Sequence, residues 1–303
     1  MTALSPAPAP WDEAPKQAAP WDEAPKQAAP WDEAPKQAAL RTVANMLFNA
    51  GLTGRPARAA DELLAPYAEQ GAEDVAVTNF RRGTDEGCRV AGRAVTVVDT
   101  PAGEVAVGGY YFGGAVHATG TGIPDTLLVR PRVSATLALR VGRRIDRPDV
   151  TVAEVLGAVD GVHAALVVAC PRVGEPAGST VLECIADNAH AGHVVVSDTW
   201  IVPSGADPAG TLLDIEVGGA TALHRPHPSA SLHLVSALRR AIALFGSVSV
   251  GEVLVLPSAG PALELGPGAT AVLRSQVFGT VTVERAKGEY EDGFEPLTHA
   301  HGR

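Results

Sequence analysis

The heptapeptide DNAHAGH, Asp187 to His193, gathers more groups able to move a proton or hold an ion than any other stretch of this chain. Glu183 lies four residues before Asp187, so on a helix the two carboxylates share a face. If burial separates their pKa values, one can give a proton while the other takes one. The bland alternative is equally open, because Asp187 and Asn188 are side chains that readily bond loop backbone and brace a sheet. His190 and His193 have a spacing that could offer two imidazoles to a soft metal with Asp187 as a third ligand. Gly192, however, is placed to end the helix and splay the rings, so no metal is expected there. His117, in the glycine-rich GGYYFGGAVHATGTG, is either an acid or base for chemistry near neutral pH or a solvated side chain on a surface loop. Cys170, before Pro171, is either a nucleophile or an inert buried thiol.

The elements that must position these groups begin near Leu40. LRTVANMLFNAGLTG carries Leu40, Val43, Ala44 and Leu47 at helical spacing, and a second helical stretch, ADELLAPYAEQGAEDVAVTNFRRGT, is expected to break at Pro66 and Gly71. From CRVAGRAVTVVDT onward, short valine-rich runs separated by Gly, Pro and Asp read as strands. Two amphipathic helices interrupt them: TVAEVLGAVDG, with Thr151 as N-cap and Glu154 three residues on, and Ser229 to about Phe245. The class is α+β, a β-rich domain with a curved sheet and flanking helices. Its parts are a helical 40–90, a β-rich core 91–285 and a loose tail 286–303.

Ahead of this domain, residues 1–39 hold three identical copies of WDEAPKQAA at a period of ten, with a proline every fifth residue. That spacing predicts a disordered or polyproline-II-like arm. Each repeat carries Asp, Glu and Lys, hence one net negative charge, toward a total of −10. No basic face is offered to nucleic acid or to anionic lipid. Three cysteines without CxxC spacing speak against a disulfide framework or a zinc cage, and no apolar run is long enough to span a bilayer, so a cytoplasmic protein is expected. GGYYFGG and GTGIPDT fit neither phosphate-loop pattern, and no nucleotide cofactor is expected.

Taken in order from Val43 to Arg285, seven segments resemble the fumarylacetoacetate hydrolase superfamily, in its branch of 2-keto-4-pentenoate hydratases and 4-oxalocrotonate decarboxylases. They are AGLTGRP, GAEDVAVTNFRRGTDEGCRVAGRAV, RPRVSATLALRVGRRI, HAALVVACPRV, LECIADNAHAG, the His227-Pro228 helix start, and GEVLVLPSAGPALELGPGATAVLR. The resemblance implies that family's fold and a divalent-ion site built from a Glu-x-Glu pair on one strand and a third Glu on the next. It puts the pair on Ser134 and Thr136 and the third ligand on Val167. It puts the family's active-site lysine on Ala94, with Thr96 where the following glycine belongs. None of these residues supplies the expected charge, so the resemblance implies a degenerate site that takes no metal and no other cofactor. It also makes the GGYYFGGAVHATGTG stretch a mobile lid carrying His117.

On this reading the chain is a divergent hydratase- or lyase-like protein doing metal-independent hydration, dehydration, tautomerisation or cyclisation on a small organic acid or enol. Asp187, Glu183 and His117 would transfer protons. Ser134, Thr136 and Asn188 would donate hydrogen bonds, and Arg93 and Arg130 would hold a carboxylate. The alternative is a non-catalytic subunit or scaffold whose Trp11, Trp21 and Trp31 motifs recruit a protein partner. Either form is expected to be a homo-oligomer, as relatives commonly are.

Overall fold

A computed structural model describes residues 30–57, 60–173, 180–205 and 210–287. The chain divides into two compact units, 1–37 and 38–303, and every residue that bears on the site belongs to the second. The first two copies of the decapeptide repeat, and the tail beyond 287, lie outside the described residues. Helix α1, Pro30–Thr53, starts ten residues earlier than the sequence predicts and runs through Pro35. The missing N–H of Pro30 falls in the first turn, where no helical partner exists in any case.

The remaining helices are α2 (Ala60–Leu64), α3 (Ala68–Asp85), α4 (Val152–Ala158), α5 (Val181–Ala186) and α6 (Ala230–Phe245). The expected break at Pro66 is present as a 3-10 turn between α2 and α3. Gly71 breaks nothing. It is buried inside α3, where a Cβ would lie 2.4 Å from that of Tyr67, so the glycine is there for close packing. Both α4 and α5 open on a capping box: Thr151 with Glu154, and Thr180 with Glu183.

Strands β1 (Val90–Thr100), β2 (Gly103–Phe112), β3 (Val116–Ala118), β4 (Thr121–Pro124), β5 (Arg132–Val141), β6 (Val159–Ala169) and β7 (Ala191–Ile201) are followed by β8 (Leu213–Val217) and β9 (Ala220–Pro226). The last five are β10 (Val253–Val255), β11 (Ser258–Ala259), β12 (Leu263–Glu264), β13 (Thr270–Ser275) and β14 (Gly279–Ala286). One sheet runs β2-β1-β10-β5-β6-β7-β3, with β12 also on β5; the other runs β11-β9-β8-β13-β14-β4. This is the mixed, curved-sheet α+β architecture that the sequence predicts.

Alternation along β5 decides which residues meet. Odd-numbered Val133, Ala135, Leu137 and Leu139 enter a core shared with α4, α6 and the second sheet. Even-numbered Ala138, with Ala165 and Val194 from β6 and β7, enters a second core beneath α1, α2 and α5. Phe80, Tyr110, Phe112 and Phe245 form an aromatic cluster that ties β2 to α3 and α6, with ring centroids 4.9 to 6.1 Å apart. Among the described residues no helix is long and apolar enough to cross a membrane.

Candidate functional site

Ser134 lies opposite Val167, and Thr136 opposite Ala165, on the helix-covered face of the first sheet. Thr136 is fully buried, and its Oγ1 has no hydrogen-bond partner among the described residues. Val167 packs against the apolar cluster on that face. Two neutral hydroxyls and an isopropyl group do not fit a hard divalent ion, whose dehydration needs anionic oxygen ligands. Ala94 of β1 belongs to the same cluster and pairs with Gly109 of β2.

The chain turns sharply after α5. Asn188, Ala189 and His190 all have φ near +56, a left-handed run that non-glycine residues rarely adopt. Three sets of bonds hold it. The Asn188 Nδ2–H donates to the Tyr110 carbonyl at 2.9 Å, and its Oδ1 accepts from the Tyr110 N–H at 2.8 Å. Thr96 Oγ1 donates to the Ala189 carbonyl at 2.7 Å. Asp187, with its carboxylate wholly shielded from solvent, accepts from the Arg172 N–H at 2.7 Å, from Arg172 Nη1 at 2.9 Å, and pairs with His190 Nδ1 at 2.8 Å. His190 Nε2 is buried and has no partner among the described residues.

A cavity of about 240 Å³ opens beside this turn. Its wall includes Gly51 of α1, Tyr110 and Tyr111 of β2, Arg172, Asp187 and Asn188. Burial pushes both phenols well above the usual tyrosine range, so they enter any chemistry as neutral hydroxyls. The Arg172 guanidinium is held charged by Asp187, against the opposing effect of burial. A larger groove, about 690 Å³, lies beside Leu212, Leu223 and Val277 and contains none of the residues singled out from sequence.

The structure redistributes several expected roles. Glu183 does not pair with Asp187: it caps α5, its Oε2 accepting the Thr180 N–H at 2.7 Å, while Asp187 is the C-cap residue of the same short helix. His117 is not on a free lid. It lies in β3, parallel to β7 and in register with Val195, because the GGYYF run is strand β2 and the chain re-enters the sheet directly after it. Its Nε2 is 3.0 Å from His193 Nδ1, on the opposite sheet face from Ser134 and Thr136. Burial lowers the pKa of both rings, that of His193 to about 3, with His117 and Arg172 adding to the effect. His190 and His193 thus serve different partners and do not converge on a metal.

Arg93 also points away from Ser134. It is 1% exposed, pairs with Glu252 at 3.1 Å and donates to the Gly246 and Ser247 carbonyls beyond the end of α6. Arg130, at φ +43, donates from Nη2 to the Pro171 and Val173 carbonyls and so braces the loop that carries Arg172. Cys170 is buried, and that burial raises its thiol pKa to about 11, which leaves an inert protonated group. Arg172 itself carries no signal in the sequence: an arginine after a proline looks like a solvated loop charge until the fold brings Asp187 to it.

No family model matches the chain. It is 27% identical over 260 residues to a 2-keto-4-pentenoate hydratase of Paraburkholderia xenovorans (strain LB400), across 80% of this chain and 93% of the relative. A 2-keto-4-pentenoate hydratase 3 from Pseudomonas putida matches at the same identity and coverage. Among solved structures, a 4-oxalocrotonate decarboxylase from Pseudomonas putida G7, complexed with magnesium and adipate, superposes with a TM-score of 0.71 at 19% identity, covering 82% of this chain and 97% of that one. The chain is thus similar over four fifths of its length to 2-keto-4-pentenoate hydratases and shares the fold of a 4-oxalocrotonate decarboxylase, in agreement with the resemblance to the fumarylacetoacetate hydrolase superfamily that its sequence carries.

Proposed function

We propose that this hydratase-like chain binds a small organic acid or enol in the cavity beside the Asp187 turn and moves protons there without the divalent ion of its relatives. The observation that carries the reading is the Asp187–His190 pair. A buried carboxylate, which lines the cavity with Arg172 and two neutral phenols, holds one imidazole nitrogen of His190, whose other nitrogen is buried and has no partner among the described residues. With Nδ1–H bonded to Asp187, the His190 Nε2 lone pair takes a proton from an enol oxygen or from a carbon next to a carbonyl once the turn opens toward the cavity, since Nε2 is buried in the closed turn. Returning that proton to another atom of the substrate accomplishes a tautomerisation; delivering it to a hydroxyl that departs as water, with the C–O bond breaking, accomplishes a dehydration, and the reverse addition of water a hydration. Asp187 fixes the tautomer and balances the imidazolium that forms. Arg172 and Asn188 supply polar contacts at the wall. The absence of any carboxylate from Ser134, Thr136 and Val167 supports a route that does not depend on magnesium.

One observation favours a second reading, the non-catalytic subunit: Glu183, Arg93 and Arg130 are all spent on structural bonds. Thermal-shift screening of keto acids and enols in the presence of EDTA, on the native chain and on Gly51→Leu, separates the two. Gly51 lies against the Arg172 side chain at the cavity wall, a Cβ there standing 3.4 Å from Nε, so a leucine there should narrow the cavity and abolish any stabilisation seen in the native chain. Magnesium-stimulated turnover of 2-hydroxypenta-2,4-dienoate or 4-oxalocrotonate would overturn the metal-independent reading. Failure of every ligand in the cavity would favour the subunit.

A further inference from the structure

Far from the Asp187 turn, three side chains from separate parts of the fold converge at the start of α6. Glu104 is the second residue of β2, His227 follows the end of β9, and His233 stands in the first turns of α6. His227 Nε2 is 3.2 Å from Glu104 Oε1, and His233 Nε2 is 3.0 Å from Glu104 Oε2. The two rings meet edge to face at 4.8 Å. One ligand atom from each residue lies within 4.8 Å of the other two, which among the described residues is true of no other group of three.

We propose that Glu104, His227 and His233 bind a divalent transition ion of the zinc class, with the carboxylate and the two Nε2 atoms as ligands. Two imidazoles and one carboxylate are a set that zinc, cobalt and nickel take readily and magnesium does not, since magnesium prefers all-oxygen coordination. The backbone presents the ligands with little freedom. Pro228 restricts the residue before it, the His227 carbonyl accepts the Ala230 N–H at 2.8 Å, and the His233 N–H is bonded into the helix through Ser229 at 3.0 Å. The histidine side chains are largely shielded while Glu104 remains accessible, so an ion can enter from solvent.

Glu104 also lines a cavity of about 350 Å³ together with Ser236 and Arg239, which offers space for water or a small anion in the fourth position. One bond opposes loading. His227 Nδ1 accepts the Ser229 N–H at 3.2 Å, and an ion on Nε2 requires the proton to move to Nδ1. Giving up that long bond weakens affinity by about tenfold at most. The ion would fasten the β1–β2 hairpin to the start of α6, and it is independent of the Asp187 cavity.

Calorimetric titration of EDTA-stripped full-length protein with zinc chloride tests the proposal, with cobalt as a spectroscopic stand-in. The expected result is one ion per chain, unaffected by a large excess of magnesium, with the visible absorption of four-coordinate cobalt. Glu104→Gln and His233→Gln should each weaken binding by at least about tenfold and remove that absorption while leaving the metal-free melting temperature near native. His227→Gln replaces His233→Gln should the latter fail to fold. Zinc binding of equal strength in the native chain and these variants would assign it to other histidines and overturn the site. Absence of saturable binding to the native chain would do the same.

Discussion

Asp187→Asn isolates the charge at the centre of the turn. Arg172 N–H and His190 Nδ1 both approach Oδ2, and Arg172 Nη1 approaches Oδ1. An asparagine can keep its oxygen at the Oδ2 position and serve two partners, but its amide then faces Arg172 Nη1, donor against donor. The guanidinium is left without its counter-charge. Breaking a buried pair from one side costs about 3–5 kcal/mol. The Arg172 side chain keeps 22% exposure and a second bond to the Ala191 carbonyl at 3.0 Å, which places the expected loss near the low end, about 3 kcal/mol. Glu183→Gln is the matched control, because glutamine preserves both bonds of a capping box and should cost no more than about 0.5 kcal/mol. Urea unfolding, with slopes held equal, measures both. A loss below about 1 kcal/mol for Asp187→Asn, or equal losses for the two variants, would refute the claim that Asp187 is the electrostatic centre of this turn.

The remaining predictions test neighbouring parts. His193, whose folded pKa is lowered to about 3 by burial, stays neutral in the folded chain while the unfolded chain gains a proton below its ordinary value of about 6.5. Stability from this group is therefore complete above pH 6.5 and falls by about 2 kcal/mol between pH 6.5 and pH 5, a slope that His193→Gln should flatten in pH-dependent unfolding. Gly109→Ala would put a Cβ 2.4 Å from the Asn188 carbonyl oxygen and 2.7 Å from its Oδ1, so the melting curve should show at least about 2 kcal/mol of loss; a neutral result would mean that the turn can retreat from β2. Thr136→Val removes a buried hydroxyl without a partner and should stabilise by about 1 kcal/mol, whereas destabilisation would reveal an unrecognised ligand for Oγ1.

What could be read in advance, and what could not, follows from the range of the interactions involved. Thr151 with Glu154 and the amphipathic run to Phe245 are local signals, and both appear where expected. The strands around Thr136 and Val167 announce themselves by their valine content. His117 misleads, because glycines that look like a mobile loop are used here to let β2 approach the Asn188 turn, and only pairing with β7 shows that the histidine is in a strand. Arg93 and Ala94 are adjacent in sequence, yet strand alternation sends one to Glu252 and the other to the helix-covered core. Arg172 and the Glu104–His227–His233 group are invisible in sequence for a related reason: Asp187 lies 15 residues from Arg172, and Glu104 lies 123 and 129 residues from the two histidines, so only the fold brings them together.

The same geometry bears on the positions where the sequence resemblance places the metal ligands. They lie on one face of β5 and β6, where Thr136 is fully buried and the partly buried Val167 packs against an apolar cluster. Carboxylates placed at these three positions without an ion would be like charges crowded together, and the arginines nearby are committed: Arg132 donates to the Ala262 carbonyl, Arg93 pairs with Glu252, and Arg130 donates to the Val173 carbonyl. The turn at Asp187 has the reverse character. Its buried charge is matched by Arg172, its strained backbone is pinned to β1 and β2, and one imidazole nitrogen is left over. Strain and an unpaired polar atom persist in a folded protein only where the surroundings impose them, and at this turn strained Asn188, which lines the cavity, and the unpaired His190 Nε2 are two residues apart. That proximity makes His190, rather than Ser134, the residue on which a loss of activity with retained stability should be sought.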